Sequence, residues 1–165
     1  MENTEQGTVI SKVKEKFPEL VLGVHSDFGD DTIIVKKEGI VELCRFLKDE
    51  PELSFDFLMD LTAVDYLGKG KEERFEMVYH FYSLKHNHRV RIKTPVSEKD
   101  CNVDSLADIW IAANWAEREV WDLYGIKFNG HPDLRRILLY EPFDGHPLRK
   151  DYPVQKRQPL IGPLN

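Results

Sequence analysis

The first fifty residues switch between helical and strand spacing of their hydrophobic positions. Apolar side chains recur every three or four residues in 8–17 and in 40–50, which predicts two helices, each followed by a proline. Between them, 20–25 and 31–37 are rich in aliphatic and β-branched residues on either side of a polar, glycine-containing turn. These two segments are predicted to be strands.

Three more strands are predicted in the next part of the chain. Segments 74–84 and 88–94 alternate apolar with polar residues, and the short polar stretch between them is typical of a hairpin. Segment 54–66 is a further candidate strand. Its first large apolar residues are expected on one side: Phe55, Phe57 and Met59.

The longest helical pattern covers 104–124. Asp104 or Ser105 can cap its start, and Gly125 suits the left-handed position just past its end. The apolar stripe at three-or-four spacing consists of Leu106, Ile109, Trp110, Ala113, Val120, Trp121 and Tyr124. Both Trp115 and Trp121 are expected in the core, where large aromatic side chains usually contribute most.

A carboxylate interrupts this stripe, because continuing it from Ala113 leads to Glu117. A buried, ionised glutamate is costly unless it is paired and hydrogen-bonded. We therefore expect Glu117 or Glu119 to pair with an arginine of the following segment: Arg135, Arg136 or Arg149. The alternative is that Glu117 lies at the edge of the stripe and reaches water. Arg118 falls off the stripe and is expected to be an ordinary surface charge.

The order of these elements predicts an α+β fold, a two-layer sandwich in which a mixed or antiparallel sheet packs against helices. We assign this globular domain to residues 1–125. Residues 126–165, called the C-terminal arm below, are predicted to be extended and to dock on a partner protein. The arm lacks apolar periodicity and holds six of the nine prolines: Pro132, Pro142, Pro147, Pro153, Pro159 and Pro163.

The composition is that of one soluble domain. The 165 residues are 41% hydrophobic and 32% charged, and no apolar run approaches the roughly 20 residues needed to span a bilayer. The N-terminal segment lacks the basic flank and apolar core of a signal peptide, so the chain is expected in the cytosol. Cys44 and Cys101 are isolated from each other and from histidine clusters, so neither an iron–sulfur cluster nor a zinc site is expected.

Charge is unevenly distributed along the chain. Residues 1–124 hold 16 Lys/Arg against 25 Asp/Glu, whereas residues 125–165 hold 7 against 4. Acidic residues interleave with the basic ones of the arm, at Asp133, Asp144 and Asp151. This mixture favours a protein–protein interface over a nucleic-acid partner, which a more uniformly basic arm would suit.

The arm contains Gly-His-Pro twice, with His131 and His146 at the centres. Imidazole is a common metal ligand, but no third ligand stands at suitable spacing, so structural hydrogen bonds are favoured over a metal site. No Ser or Cys nucleophile with a base and an orienting acid is recognisable, so no catalytic residue is expected. A stand-alone binding module with a basic arm stays open as a different function.

Four segments carry a resemblance to a known family: ERE at 117–119, DLY at 122–124, GHPDLRRIL at 130–138 and GHPLRKDYP at 145–153. Together they strongly resemble the C subunit, also called the 30-kDa subunit, of respiratory complex I, the proton-pumping NADH:quinone oxidoreductase. The spacing from Glu117 to Leu138 fits the family signature without a departure. A close alternative is the equivalent subunit of a membrane-bound hydrogenase-type complex, where related chains occur.

The resemblance implies a non-redox subunit of the hydrophilic arm of complex I, which assembles chiefly with the D subunit. FMN, the Fe–S clusters and quinone are then expected elsewhere in the complex, with no cofactor on this chain. The expected location is peripheral, on the cytoplasmic face of the bacterial inner membrane. The expected interface and structural residues are Glu117, Arg118, Glu119, Asp122, His131, Asp133, Arg135, Arg136, His146, Arg149, Lys150, Asp151 and Tyr152.

Overall fold

The computed structural model describes residues 6–162, so Pro163 and the rest of the arm's end lie outside it. Three helices and seven strands follow one another between Gln6 and Asn129. In chain order they are α1 Gln6–Lys16, β1 Val21–His25, β2 Asp31–Val35, α2 Ile40–Asp49, β3 Phe57–Asp65, β4 Phe75–Ser83, β5 His88–Val96, β6 Asn102–Asp104, α3 Ile111–Tyr124 and β7 Lys127–Asn129.

The main sheet has five strands in the order β1-β2-β5-β4-β3. Neighbouring strands are antiparallel except β2 and β5, which are parallel. The strands β4 and β5 form the predicted hairpin, and Asn87 in its turn has a φ of 52°. A second, two-stranded sheet pairs β6 with β7 in parallel. The predicted α+β fold with a mixed sheet is confirmed.

Strand β4 shows why the alternating pattern identified the sheet. Its alternate side chains Phe75, Met77, Tyr79 and Phe81 are all fully buried and join one hydrophobic cluster with the apolar face of α2. Side chains of a strand point to opposite faces in turn, so a period of two places one face in the core. Burial of such large side chains supplies the main driving force for folding.

The prediction that Phe55, Phe57 and Met59 lie on one side of β3 was wrong. Phe57 and Met59 are 48% and 45% exposed, whereas Phe55 is buried before the strand begins. The pairing with β4 shifts between Leu58 and Asp60. An extra residue in one strand displaces the side chains that follow it, so the inward residues Leu58 and Leu61 are three positions apart instead of two.

The predicted start of the last helix was also wrong, because α3 begins at Ile111 and Asp104 belongs to strand β6. The backbone N–H of Ser105 donates to the carbonyl of Asn129, which extends the β6–β7 pairing. The apolar residues of 106–110 are buried in a turn that precedes the helix. The predicted end is confirmed: Gly125 has a φ of 75°, in the left-handed region that favours glycine.

The C-terminal arm leaves the globular part later than predicted. Strand β7 lies within the predicted arm but pairs with β6, and Ile126 and Phe128 are buried in the core. From residue 130 to 162 the described chain has turns but no helix or strand. No helix within residues 6–162 is long and apolar enough to cross a membrane.

Candidate interface

Glu117 is fully buried at the centre of α3, as its place in the apolar stripe predicts. Its carboxylate accepts hydrogen bonds from the Ser105 hydroxyl and the Leu106 backbone N–H, both at 2.6 Å. Burial raises the pKa of Glu117 to about 7, although these two hydrogen bonds act in the opposite direction. The carboxylate therefore fixes the turn before α3 to the middle of the helix.

The expected pairing of Glu117 or Glu119 with an arginine was wrong. The nearest charge-capable group to Glu117 is His131, whose Nε2 lies 4.0 Å from the carboxylate. His131 accepts a hydrogen bond from the Asp133 N–H at Nδ1, so its proton is on Nε2, which donates to the Asn114 carbonyl. His131 therefore joins the carbonyl of Asn114 to the backbone of Asp133 beside Glu117.

Asp122 holds the arm to the helix. Its Oδ2 accepts hydrogen bonds from three successive backbone N–H groups of 137–139, at 3.1, 2.9 and 2.9 Å. Its Oδ1 accepts from the guanidinium of Arg136 at 2.6 Å. Burial alone raises the pKa of Asp122, but these donors outweigh it and hold the pKa below its usual value. We call Asp122 with residues 136–139 the inner anchor.

Arg136 connects the inner anchor to the following stretch of the arm. Besides Asp122, it donates to the carbonyls of Phe143 and Gly145, at 2.8 and 3.2 Å. Its guanidinium lies 5.8 Å from the ring of Trp121 and 5.7 Å from that of Phe143. A planar, multiply donating guanidinium suits this position, where a lysine could not make the same set of contacts.

Arg118 is not the ordinary surface charge that its place off the stripe predicts. It donates from Nε to the carbonyl of Arg135 and from Nη2 to that of Arg136, both at 3.1 Å. Arg135 itself forms an exposed pair with Asp133. Arg118 thus binds the arm through the arm's backbone carbonyls, so side-chain patterns alone could not reveal its role.

The second Gly-His-Pro packs on the end of α3. His146 donates from Nδ1 to the carbonyl of Asp122 at 2.9 Å, and its pKa is lowered mainly by burial. Arg149 donates to the carbonyl of Tyr124. These contacts satisfy carbonyls that have no partner within the helix. A Cβ on Gly125 would lie 2.6 Å from His146 and 2.8 Å from Arg149, so glycine is required there for space as well as for conformation.

A second cluster fixes the arm to the sheet, and sequence reasoning missed its two central residues. Arg74 pairs with Asp65 at 2.9 Å and with Asp151 of the arm at 2.6 Å, and it also contacts Glu98. Asp65 accepts the backbone N–H of Lys150 at 2.9 Å. Burial raises the pKa of Asp65, but Arg74 and two backbone donors outweigh it, so the pKa is lowered. We call this cluster the outer anchor.

The two anchors bind the charged residues of the arm to their own chain. The arm is predicted to dock on a partner protein, yet Arg136, Arg149 and Asp151 find their partners on residues 65–124 of the same chain. No local period marks Asp65 or Arg74 as a site, because their arm partners stand more than 75 positions away. Their alternating strand pattern gives no functional signal.

Beyond the outer anchor the arm turns back on itself. The side-chain amide of Gln158 pairs with the backbone of Asp144, accepting from its N–H at 2.8 Å and donating to its carbonyl at 3.1 Å. Tyr140 donates to the carbonyl of Pro159, and Tyr152 stacks on Phe143. Three apolar side chains of this loop point outward: Val154, Leu160 and Ile161 are 99%, 97% and 69% exposed.

The remaining predicted interface residues lie on the surface. Glu119 and the side chain of Lys150 are exposed. Trp121 is half-buried and meets His146 edge to face. The expectation that Trp115 is a core residue was wrong, since it is 70% exposed on the outer side of α3. Within residues 6–162, no cluster of three or more His, Cys, Asp or Glu side chains is arranged to hold a metal ion.

Comparison with known proteins gives a consistent result over nearly the whole chain. The family described as respiratory-chain NADH dehydrogenase, 30 Kd subunit, matches residues 33–158. The C subunit of the NADH-quinone oxidoreductase of Geotalea uraniireducens is 49% identical over 98% of this chain and 97% of that protein.

Two solved structures share the fold. The trypsin-resistant fragment (1-134) of Nqo5 aligns with a TM-score of 0.67 at 29% identity, over 79% of this chain and 100% of the fragment. A chain of the membrane-bound sulfane sulfur reductase, an archaeal respiratory membrane complex, aligns with a TM-score of 0.71 at 23% identity. It covers 90% of this chain and 86% of its own, and at this identity it supports the fold alone.

Proposed function

The chain belongs to the family of the 30-kDa subunit of respiratory-chain NADH dehydrogenase, and from this we propose that it is a non-redox assembly subunit of NADH:quinone oxidoreductase. The complex passes electrons from NADH through FMN and Fe–S clusters to quinone and couples this to proton translocation. The chain acts as part of that enzyme, in its hydrophilic arm. It supplies a docking element and no catalytic centre.

The observation that carries the assembly role is the build of the C-terminal arm. Two anchors fix residues 136–151 to the globular part, so the loop beyond them leaves in a defined direction. That loop presents Val154, Leu160 and Ile161 outward with basic residues between them. A preorganised apolar element loses less conformational entropy on binding than a free tail, so it suits a permanent partner.

Two further features support this role. The solved fragment of Nqo5 is described as trypsin-resistant and covers 79% of this chain, which supports a globular part that is stable by itself. The Cys44 thiol is fully buried among apolar side chains, and burial raises its pKa strongly. A thiol in this state is a poor ligand for a cluster, which supports the proposal that the Fe–S clusters lie on other subunits.

The partner of the arm is proposed to be the D subunit of the same enzyme, and the location the cytoplasmic face of the bacterial inner membrane. The family relation supports both proposals. The interface is formed by the surface of the signature residues and by the exposed loop 153–162. An acidic rim around an apolar groove would complement Arg157 of that loop, whereas Lys156 already pairs with Asp144 at 2.6 Å.

The test compares tagged chains recovered from native membranes. A chain that ends after Tyr152 keeps both anchors, so its melting temperature should match that of the full chain, while its recovery of the D subunit should fall at least about tenfold. Leu84→Ser, which changes a 65% exposed residue in the β4–β5 turn, serves as the control and should recover the complex normally. Full recovery by the shortened chain would refute docking through the loop.

The identity of the recovered proteins tests the complex itself. Flavin- and NADH-binding subunits are expected. A nickel-binding large subunit in their place would identify a hydrogenase-type complex. Recovery of the chain alone, with steeply salt-dependent binding to nucleic acid, would instead identify a stand-alone module.

A further inference from the structure

One face of α3 is covered only along half its length. Ile111, Trp115, Arg118 and Asp122 follow each other at intervals of three or four residues, so they share one side of the helix. The second half of this side is covered by the chain's own arm, through the contacts of Arg118 and Asp122. The first half is open: Ile111 is 90% exposed and Trp115 is 70% exposed.

The inner anchor extends this open apolar surface. The N–H of Leu138 is bonded to the carboxylate of Asp122, which places Leu138 beside the end of the same helix face, and its side chain is 60% exposed. With a rise of about 1.5 Å per residue, the stretch of helix from Ile111 to Asp122 is about 16 Å long. We call the exposed side chains of Ile111, Trp115 and Leu138 the Ile111–Trp115–Leu138 ridge.

Such a ridge is unusual on a free surface. Single exposed apolar residues are normal, but aligned large ones on one helix face mark an interaction site. Tryptophan in particular is enriched among the residues that contribute most to binding. The opposite stripe of α3 already supplies the core, so the ridge has no role in the fold of residues 6–162.

The charges beside the ridge define the partner's chemistry. Asp108 before Ile111 and Glu119 one turn after Trp115 are both exposed, and within residues 6–162 neither forms an ion pair. The adjacent cation, Arg118, is committed to backbone carbonyls, and Arg135 is paired with Asp133. Hydrogen bonds to neutral carbonyls leave the charge of Arg118 in place, so Asp108 and Glu119 together with Arg118 give the rim a net charge of −1. A second copy of this chain fits it poorly, because the whole chain carries a net charge of −6 and two copies would repel each other.

We propose that the Ile111–Trp115–Leu138 ridge is a second docking site, covered in the assembled enzyme by an apolar surface of another subunit with Lys or Arg at its rim. The inference rests on the proposed function. The ridge differs from the loop 153–162, which is basic and lies beyond the outer anchor. The two surfaces thus bind partner regions of opposite charge and together fix the orientation of the chain.

Oxidative footprinting of tryptophan tests this directly. The isolated chain and the intact oxidoreductase purified from native membranes are exposed to hydroxyl radicals, and each tryptophan is quantified by mass spectrometry. Trp110, which is 5% exposed, is the internal reference for Trp115 at 70%. In the isolated chain Trp115 should be oxidised far faster than Trp110. In the complex its oxidation should fall about tenfold, toward the level of Trp110.

Paired variants give an independent result. Trp115→Glu adds a charge to the ridge, and Leu84→Glu adds the same charge to an equally exposed turn at 65%. Both isolated chains should melt within a few degrees of the unmodified protein, because surface substitutions change stability little. Only Trp115→Glu should lower recovery of the other subunits, by at least about tenfold. Glu119→Lys, which reverses the acidic rim, should also lower recovery.

The outcomes separate this inference from the proposed function. If the other subunits are recovered while Trp115 stays as reactive as in the isolated chain, the ridge is not an interface, although the proposed function stands. If no oxidoreductase subunit is recovered with the unmodified chain, the proposed function fails and the inference with it. Protection of Trp115 in a dimer of the isolated chain would identify a second copy as the occupant and would overturn the inference.

Discussion

Asp122→Asn isolates the inner anchor, because asparagine keeps the size of the side chain and removes its charge. The carboxylate accepts four hydrogen bonds, three from backbone N–H groups at 2.9–3.1 Å and one from Arg136 at 2.6 Å. An amide has only one acceptor oxygen, so either the N–H groups or the guanidinium must face its NH₂ group. Breaking a buried ion pair from one side costs about 3–5 kcal/mol.

The substitution should mainly lower the free energy needed to open the arm locally. The assay is therefore hydrogen exchange of the backbone amides of 137–139. At about 3 kcal/mol, the exchange of these amides should accelerate on the order of a hundredfold at pH 7. Because the folded pKa of Asp122 lies below its unfolded value, its contribution is present at neutral pH and is lost as pH falls through the folded pKa. The difference between the two proteins should therefore shrink in acid.

The matched control is Asp133→Asn, which removes the exposed pair with Arg135. The two side chains of that pair are 53% and 73% exposed, so the change should cost less than about 1 kcal/mol. Trypsin gives a second readout, since it should cut at Arg136 and Arg149 sooner in Asp122→Asn than in the control. Equal exchange rates for the two variants would show that Asp122 does not hold the arm.

Three other changes test the remaining contacts. Glu117→Gln should remove one source of pH dependence. With a folded pKa of about 7 against 4.5, the free energy of unfolding of the unmodified protein should fall by up to about 3 kcal/mol as pH rises between these values, and urea unfolding of the variant should lack this fall. Gly125→Ala should lower the melting temperature more than Gly130→Ala. Both positions have a φ between 75° and 78°, but only a Cβ at Gly125 meets other atoms. Equal losses of melting temperature would refute the steric argument. Arg74→Gln should lower the free energy of unfolding by about 3–5 kcal/mol, because it leaves the buried carboxylate of Asp65 unpaired. Asp151→Asn changes a side chain that is 52% exposed and should lower it by less than about 1 kcal/mol. The reverse order in urea unfolding would contradict the role of the outer anchor.

The parts of the fold that the sequence predicted are those set by local geometry. A strand repeats every two residues and a helix every 3.6, so buried faces leave a readable period in β4, β5, α2 and the body of α3. Gly125 was identifiable for the same reason, since a residue with positive φ after a helix favours glycine. The signature in 117–138 identified the family from residue types at fixed spacing alone.

Where local pattern and tertiary contact disagree, contact prevails. The turn before α3 carries helical spacing, yet Ser105 pairs with Asn129 and its hydroxyl binds Glu117, so the helix starts later. Trp115 looks like a core residue by type, but its direction from α3 decides its exposure. The exposure of a side chain depends on which other segments pack against its side of the helix or strand. The spacing of residues along the chain does not show this.

The sequence by itself thus determined the class of fold, the end of α3 and the family. The tertiary structure alone decided which groups bind each other across the chain: the backbone donors on Asp122, the carbonyls on Arg118, and Arg74 between Asp65 and Asp151. The physical reason is that the spacing of hydrophobic residues indicates which side of a helix or strand is buried. A hydrogen bond between residues distant in the chain forms only where the fold brings donor and acceptor within about 3 Å.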